Sequence, residues 1–335
     1  MNRTLILGIE SSCDETSICV LENGRKILSN VIATQIPIHQ KFGGVVPEIA
    51  SRQHVEAIAP VLHEALEQAG VELHEIDAVA VTYGPGLVGA LLVGLIFAKG
   101  LAFALDKPLI GVNHLEGHFY ANYLCHEQLQ PPFVALVVSG GHTSLLHVKD
   151  FNSFSILGQT RDDAAGEAFD KVARVLGLGY PGGPFVDEWA QKGDDQAIVF
   201  PKAKLDGRYD FSFSGLKSAV INYLHTAKQK GQEINKADVC ACFQKAVVEA
   251  IADKCELALQ DCQLDKLVMA GGVSANSCLR ATLAGRLKAT DAKLYYPTNV
   301  LCTDNAAMIA CRGYYMYING QYSDLSLNAD PALKI

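Results

Sequence analysis

The sharpest chemical signal in the chain is His114-Leu115-Glu116-Gly117-His118. Histidines four residues apart on a helix project from one face, so both imidazoles can reach a single metal ion. Such a pair also occurs as ordinary helix surface, and a third ligand decides between the two readings. Asp304, in Cys302-Thr303-Asp304-Asn305, is the candidate. It stands at a strand-to-helix junction, where a carboxylate often caps the following helix instead. Two histidines and one carboxylate leave coordination positions open for water or substrate, as catalytic metal sites require. A zincin protease would place its glutamate directly after the first histidine. Glu116 is two positions on, turned about 200° around the helix axis, so the usual general base of that chemistry is missing.

Asp14 and Glu15, in Ser11-Ser12-Cys13-Asp14-Glu15-Thr16, are the acid–base candidates, with a solvated turn as the plain alternative. Four glycine-rich turns follow: Gly84-Pro85-Gly86, Ser139-Gly140-Gly141, Pro181-Gly182-Gly183 and Gly271-Gly272. Each alone reads as an ordinary turn. Three of them follow apolar strands or precede helices, where free backbone N–H groups and the helix dipole favour a phosphate. GxxxxGK[ST] and GxGxxG are absent, and Gly272-Val273-Ser274-Ala275-Asn276 misses the GxSxG elbow at its last position. P-loop, dinucleotide-fingerprint and serine-hydrolase readings therefore lack their motifs.

The elements that must position these residues form a duplicated pattern. Leu5–Ile9, Ile18–Leu21 and Lys26–Val31 read as strands, the last two joined by the turn Glu22-Asn23-Gly24. A helix opens at Pro47 and closes near Gly70, with Pro60 expected to kink or break it. Strand Ala78–Thr82, a long apolar helix over Leu87–Leu105 and strand Pro108–Val112 complete the first half. From Phe133 the plan repeats: strands Val134–Val138, Ser144–Val148 and Phe154–Leu157, and helices Asp163–Leu176, Gly215–Lys228 and Lys236–Cys262. Strand Leu267–Ala270, a helix from Asn276, strand Lys293–Tyr296 and a helix over Asn305–Tyr317 close it. Two such lobes with glycine turns facing a shared cleft is the plan of the actin/Hsp70/sugar-kinase (ASKHA) superfamily, an α/β fold with mixed sheets. The expected division is a first lobe of residues 1–113 plus a C-terminal helix at 305–327. The second lobe, 114–304, would carry most donor-site and metal residues.

The chain has 335 residues, 49% hydrophobic, with a net charge of −8. Nothing global points to nucleic acid, so RNA contact would need local basic patches or a partner. The run Lys202, Lys204 and Arg208 is the expected patch, followed by Lys217, Lys228, Lys230, Arg280, Arg286 and Lys288. The N-terminus lacks a signal or transit pattern, and Leu87–Leu105 reads as a buried helix rather than a membrane span. A soluble cytoplasmic protein is expected. The ten cysteines form no CxxC pair and read as buried thiols acting as small hydrophobes.

Taken together, these segments resemble the tRNA N6-adenosine threonylcarbamoyltransferase family (TsaD in bacteria) over essentially the full length. The matching motifs are GIESSCDET at 8–16, GGVVPEIASRQH at 43–54, GPGLVGALLVG at 84–94, HLEGH at 114–118 and SGGHT at 139–143. They continue with DDAAGEAFDK at 162–171, YPGGP at 180–184, FSFSGLKSA at 211–219, GGVSAN at 271–276 and CTDNAAMIA at 302–310. Phe119 stands where a smaller aliphatic residue is commoner. The resemblance implies transfer of threonylcarbamoyl from its adenylate to N6 of the adenosine 3′ of the anticodon, in tRNAs reading codons that begin with A. It implies a divalent metal, iron or else zinc, on His114, His118 and Asp304. It implies a donor site lined by Val137, Val138, Ser139, Gly140, Gly141, Asp170, Gly183, Asp187 and Asn276. The implied partners are tRNA, a paralogous scaffold subunit of the TsaB kind and an ATPase subunit of the TsaE kind, with a homodimer also open and no membrane. Two other classes stay in view: a small-molecule kinase of the same superfamily, which would need no histidine pair, and a non-catalytic paralogue, against which the intact metal set argues.

Overall fold

Strand β1 (Leu5–Glu10) is buried along its whole length, as the apolar run LILGI demands of a central strand. It pairs antiparallel with β2 (Glu15–Glu22), which pairs antiparallel with β3 (Lys26–Thr34). The computed structural model describes residues 3–203 and 205–335; Lys204 of the basic run lies outside the described residues. Short α1 (Ile36–His39) leads to α2 (Pro47–Ala69), which starts with Pro47 in its first turn and ends at Gly70 in the left-handed region, φ 64°. The expected break at Pro60 does not occur. The ring lies on the exposed side of α2, where the carbonyl it leaves unbonded can be hydrated. Strand β4 (Ala78–Gly84), helix α3 (Val88–Leu105) and strand β5 (Leu109–Asn113) follow, with β4 and β5 added parallel to β1, and then helix α4 (His114–Cys125).

The second half repeats the plan. Strands β6 (Phe133–Val138), β7 (Thr143–Asp150) and β8 (Ser153–Gln159) form an antiparallel meander. Helices α5 (Ala165–Leu176), α6 (Gly182–Ala190), α7 (Ser214–Gln229) and α8 (Lys236–Cys262) come next. Strand β9 (Lys266–Ala270), helix α9 (Ser277–Leu287) and strand β10 (Lys293–Tyr295) complete it, β9 and β10 running parallel to β6. The chain closes with α10 (Asn299–Cys302) and α11 (Ala306–Ile318). The described residues form two five-stranded sheets, β3-β2-β1-β4-β5 and β8-β7-β6-β9-β10. These are one strand order used twice, which makes the duplication a matter of topology. Helix α6 is an addition to the expected elements, because its opening Gly182-Gly183-Pro184 carries turn signals.

Two compact units result: the chain up to Leu129 together with Pro297–Ile335, and Gln130–Tyr296. This corrects the expected division at residues 113/114 and 304/305. Helix α4 packs on α11 in the first unit, with Tyr120 and Tyr123 rings 5.7 and 5.6 Å from Tyr315 and Glu116 paired to Arg312 at 2.6 Å. Arg25, in the β2–β3 turn, closes the far end of α4. Its Nη1 donates to the carbonyls of Tyr123, His126 and Glu127 at 3.3, 3.1 and 3.0 Å, a cation at a helix C-terminus. Helix α3 is also less covered than expected. Ala90, Leu91, Gly94, Leu95, Ala98 and Ala102 are buried, while Ile96 and Phe103 are 63% and 76% exposed.

Candidate functional site

The metal candidates all fall in the first unit. His114 opens α4 directly after β5, and the side chain of Asn113 accepts from the Leu115 N–H to cap that helix. His114 and His118 are both buried, their ring centroids 4.6 Å apart. Asp304 lies between α10 and α11. The cap of α11 is its neighbour Asn305, which accepts from the Met308 N–H at 3.1 Å. Asp304 is thereby released from the capping role that the sequence left open. Its Oδ1 lies 3.4 Å from His114 Nε2 and 3.5 Å from His118 Nε2, and one ligand atom from each of the three residues falls within 4.8 Å of the others. Ligand bonds of about 2.1 Å at a tetrahedral angle put neighbouring ligand atoms about 3.4 Å apart, so the donor set fits a divalent ion. Glu116 faces away, onto Arg312, which removes the zincin base geometrically as well.

Behind His114 stands a residue that the sequence reading missed. Glu10, at the end of β1 and fully buried, lies 2.9 Å from His114 Nδ1 through Oε2. The same oxygen accepts from Thr82 Oγ1 at 2.6 Å, and Oε1 accepts from the Ser12 N–H at 2.6 Å. A carboxylate on Nδ1 fixes the tautomer that leaves Nε2 bare for a metal. Burial pushes the Glu10 carboxyl up, but the charge and hydrogen bond of His114 outweigh it and hold Glu10 below the usual range. The only signal in the sequence was a carboxylate ending an apolar strand.

Asp14 is buried and Glu15 half-buried, not solvated as turn residues usually are. Burial, with the nearby charges of Asp304 and Asp14, pushes Glu15 up to about 10. The acid–base candidates thus share the electrostatic surroundings of the metal set, and negative charge crowded in a buried place favours a cation.

The donor-site candidates all fall in the second unit. Val137 and Val138 are fully buried in strand β6, so neither presents a side chain to a ligand. Gly140 and Gly141 are exposed, with open space where a side chain would sit. Beneath them α5 begins: Gly166 N–H donates to Ser139 O at 3.2 Å, and a Cβ on Gly166 would come within 2.6 Å of that oxygen. Only glycine permits this approach of helix end to turn. Asp170 is engaged by the chain itself, accepting from the Gly182 N–H at 2.6 Å and from Gly183 at the start of α6. Burial raises its carboxyl above the usual range despite those bonds. Asp187 accepts from the Ser277 N–H (3.0 Å), Ser277 Oγ (2.8 Å) and Gln244 Nε2 (3.1 Å). Asn276 caps α9 through the Leu279 N–H at 2.9 Å and donates from Nδ2 to Gln244 Oε1 at 2.8 Å. Gln244 was not among the expected residues.

Several described cations of the expected basic patch are paired with carboxylates. Lys202 pairs with Glu249 and Asp253 at 3.0 and 3.1 Å, Arg208 with Asp261 at 2.7 Å, and Arg286 with Asp253 and Glu256 at 2.7 and 3.0 Å. Three cations thus face four carboxylates, all of them on α8, and Lys217 is drawn to Asp163 at 3.3 Å. Lys228 and Lys230, at the end of α7, are exposed.

A family model described as tRNA N6-adenosine threonylcarbamoyltransferase (TsaD) matches residues 26–311. A protein of that name from Clostridium perfringens strain SM101 is 60% identical over 339 residues, covering all of this chain and 99% of the relative. Among solved structures, full-length HypF in its phosphate- and nucleotide-bound form superposes with a TM-score of 0.63 at 16% identity. That match covers 96% of this chain and 47% of HypF. The activator of 2-hydroxyisocaproyl-CoA dehydratase from Clostridium difficile, with bound ADPNP, gives 0.54 at 14% identity, covering 95% of this chain and 97% of the activator. Those two likenesses establish the ASKHA fold, and the sequence matches establish more: the chain belongs to the tRNA N6-adenosine threonylcarbamoyltransferase family.

Proposed function

We propose that this chain transfers the threonylcarbamoyl group from threonylcarbamoyl-adenylate to N6 of the adenosine 3′-adjacent to the anticodon, in tRNAs reading codons that begin with A. The products are t6A and AMP. The observation that carries this reading is the convergence of His114, His118 and Asp304 on one point, with Glu10 behind His114, in a chain of this family. A divalent ion there, iron or else zinc, would supply Lewis acidity toward a carbonyl or phosphate oxygen. In this reading Glu10 holds the His114 tautomer, and the open Ser139–Gly141 turn with the start of α5 receives the donor phosphate on backbone N–H groups. Asp187 and Asn276 orient the ribose, while Asp14 is the group available to take the proton lost from N6 and Glu15, held protonated by its surroundings, can pass one on. AMP is a good leaving group, so orientation and charge stabilisation account for the rate without a covalent intermediate on the protein.

An acidic chain in which Lys202, Arg208, Lys217 and Arg286 are paired with carboxylates meets tRNA weakly by itself. We assign the tighter binding to a complex with a TsaB-like scaffold and a TsaE-like ATPase, and the scaffold to the exposed apolar side of α3. The test is metal analysis of the purified chain beside mass-spectrometric detection of t6A in tRNA, with and without those partners. Stoichiometric metal with t6A formed only from the adenylate and a tRNA acceptor supports the reading. Phosphorylation of a metabolite without t6A, or no t6A under any combination, overturns it.

A further inference from the structure

The second unit holds a buried amide to which the reaction reading gives no task. Gln244 lies on the inward face of α8 among Cys240, Phe243, Val247 and Val248, and is 4% exposed. A primary amide is tolerated in such surroundings only when its donors and acceptor are met. Here Nε2 donates to Asp187 Oδ1, Oε1 accepts from Asn276 Nδ2, and the Cys278 thiol lies against the same amide. The orientation is forced. The Asp187 carboxylate only accepts, and Asn276 Oδ1 is taken by the Leu279 N–H, so Nδ2 must face Gln244. One side chain on α8 thereby joins Asp187 on α6 to the N-terminal cap of α9.

The bonds already made decide which capacities remain. Asp187 Oδ1 receives Gln244 and Ser277 Oγ, and Oδ2 receives the Ser277 N–H, which leaves acceptor capacity on Oδ2. Asn276 Nδ2 has a second hydrogen beyond the one given to Gln244. An acceptor and a donor held through one rigid amide suit a vicinal diol, whose one hydroxyl donates while the other accepts. We infer that Gln244 is a positioning residue for the donor, locking Asp187 and Asn276 into the geometry that reads the ribose diol of the adenylate. The inference rests on the adenylate reading given under Proposed function.

The test uses the full chain, AMP as the probe in calorimetry, and the variants Gln244→Leu, Gln244→Glu and Asp187→Asn. Gln244→Leu removes both bonds at similar volume and weakens AMP by about tenfold or more, the effect of one lost hydrogen bond to a charged group. The KM for the adenylate rises while kcat stays within about threefold. Gln244→Glu keeps the acceptor for Asn276 but sets oxygen against Asp187, two carboxylates that cannot both be ionised at that distance. Its AMP affinity is low at pH 8 and returns toward wild type near pH 6, where a shared proton restores the bond. A packing role would give losses independent of pH in both variants. If Asp187→Asn weakens AMP while both Gln244 variants bind like wild type, Gln244 does not position the donor. If Asp187→Asn itself binds AMP normally, the adenylate placement fails, and the Gln244 inference fails with it.

Discussion

Replacing Glu10 with Gln tests the metal centre through a residue that never touches the metal. Glu10 is fully buried and spends both oxygens: Oε1 on the Ser12 N–H, Oε2 on the Thr82 hydroxyl and on His114 Nδ1. Gln has one oxygen to offer. The Ser12 N–H is fixed backbone and claims it, which turns the new NH2 group toward Thr82 and His114. The Thr82 hydroxyl can rotate to accept. His114 Nδ1 carries a hydrogen in the metal-binding tautomer, so donor would meet donor there, leaving it only the longer contact to Ser12 Oγ at 3.2 Å. The imidazole answers by moving that hydrogen to Nε2, the atom 3.4 Å from Asp304 Oδ1, and so blocks the atom a metal needs. The loss is one charge-assisted hydrogen bond, about 1.5–3 kcal/mol, or about 10–150-fold in metal affinity. That range overlaps the 10–100-fold (roughly) typical when a carboxylate behind a ligating histidine is removed. The assay is competition of zinc between the apo-protein and a chelator, with Thr82→Val as a control that leaves the His114 contact in place. Glu10→Gln should bind zinc 10-fold or more (roughly) weaker, and Thr82→Val nearly as wild type. Wild-type zinc affinity in Glu10→Gln, together with loss of zinc in His114→Ala, would refute the tautomer argument while leaving the ligand set standing.

His118→Ala should abolish stoichiometric metal and t6A formation together, and retained metal would remove His118 from the set. Arg25→Met strips the carbonyl cap from the end of α4 and should cost about 2 kcal/mol in urea unfolding; an unchanged midpoint would make those bonds energetically idle. Burial holds His54 below its ordinary value of 6.5, and its Nδ1 lies 2.7 Å from Thr16 Oγ1 while Nε2 faces Cys13 O at 2.9 Å. The unfolded chain therefore takes up this proton first as pH falls. The stability His54 contributes is complete above about pH 6.5 and lost as pH drops below it toward the lowered folded value. Melting temperature should fall more steeply from pH 7 to pH 5 in wild type than in His54→Gln, and parallel curves would contradict the assignment. Lys202→Met should leave tRNA affinity within about twofold, since an exposed paired lysine contributes little. Lys228→Glu with Lys230→Glu should lower that affinity and flatten its salt dependence, and the reverse pattern would restore the 202–208 run as the RNA contact.

What the sequence made legible was local. The i,i+4 histidine pair needs only a helix, and the strand order repeats because LILGI and FVALVV are apolar runs in equivalent places. What it hid were partnerships between distant segments. Lys202, Arg208 and Arg286 look like a basic stretch until α8 brings Glu249, Asp253, Glu256 and Asp261 beside them. The unit boundary moved from residue 113 to 129 because α4 buries its aromatic side on α11, more than 190 positions on. Glu10 and Gln244 were passed over for the same reason, their partners lying 104, 57 and 32 positions away. Yet both left a trace. Each is a polar residue in an apolar stripe, at the end of LILGIE and within CACFQKAVV. An unpaired carboxylate or amide in such a stripe costs several kcal/mol, more than a marginally stable fold can absorb twice. A residue of that kind therefore announces from sequence that a partner exists. It withholds which one, because that depends on how distant segments pack.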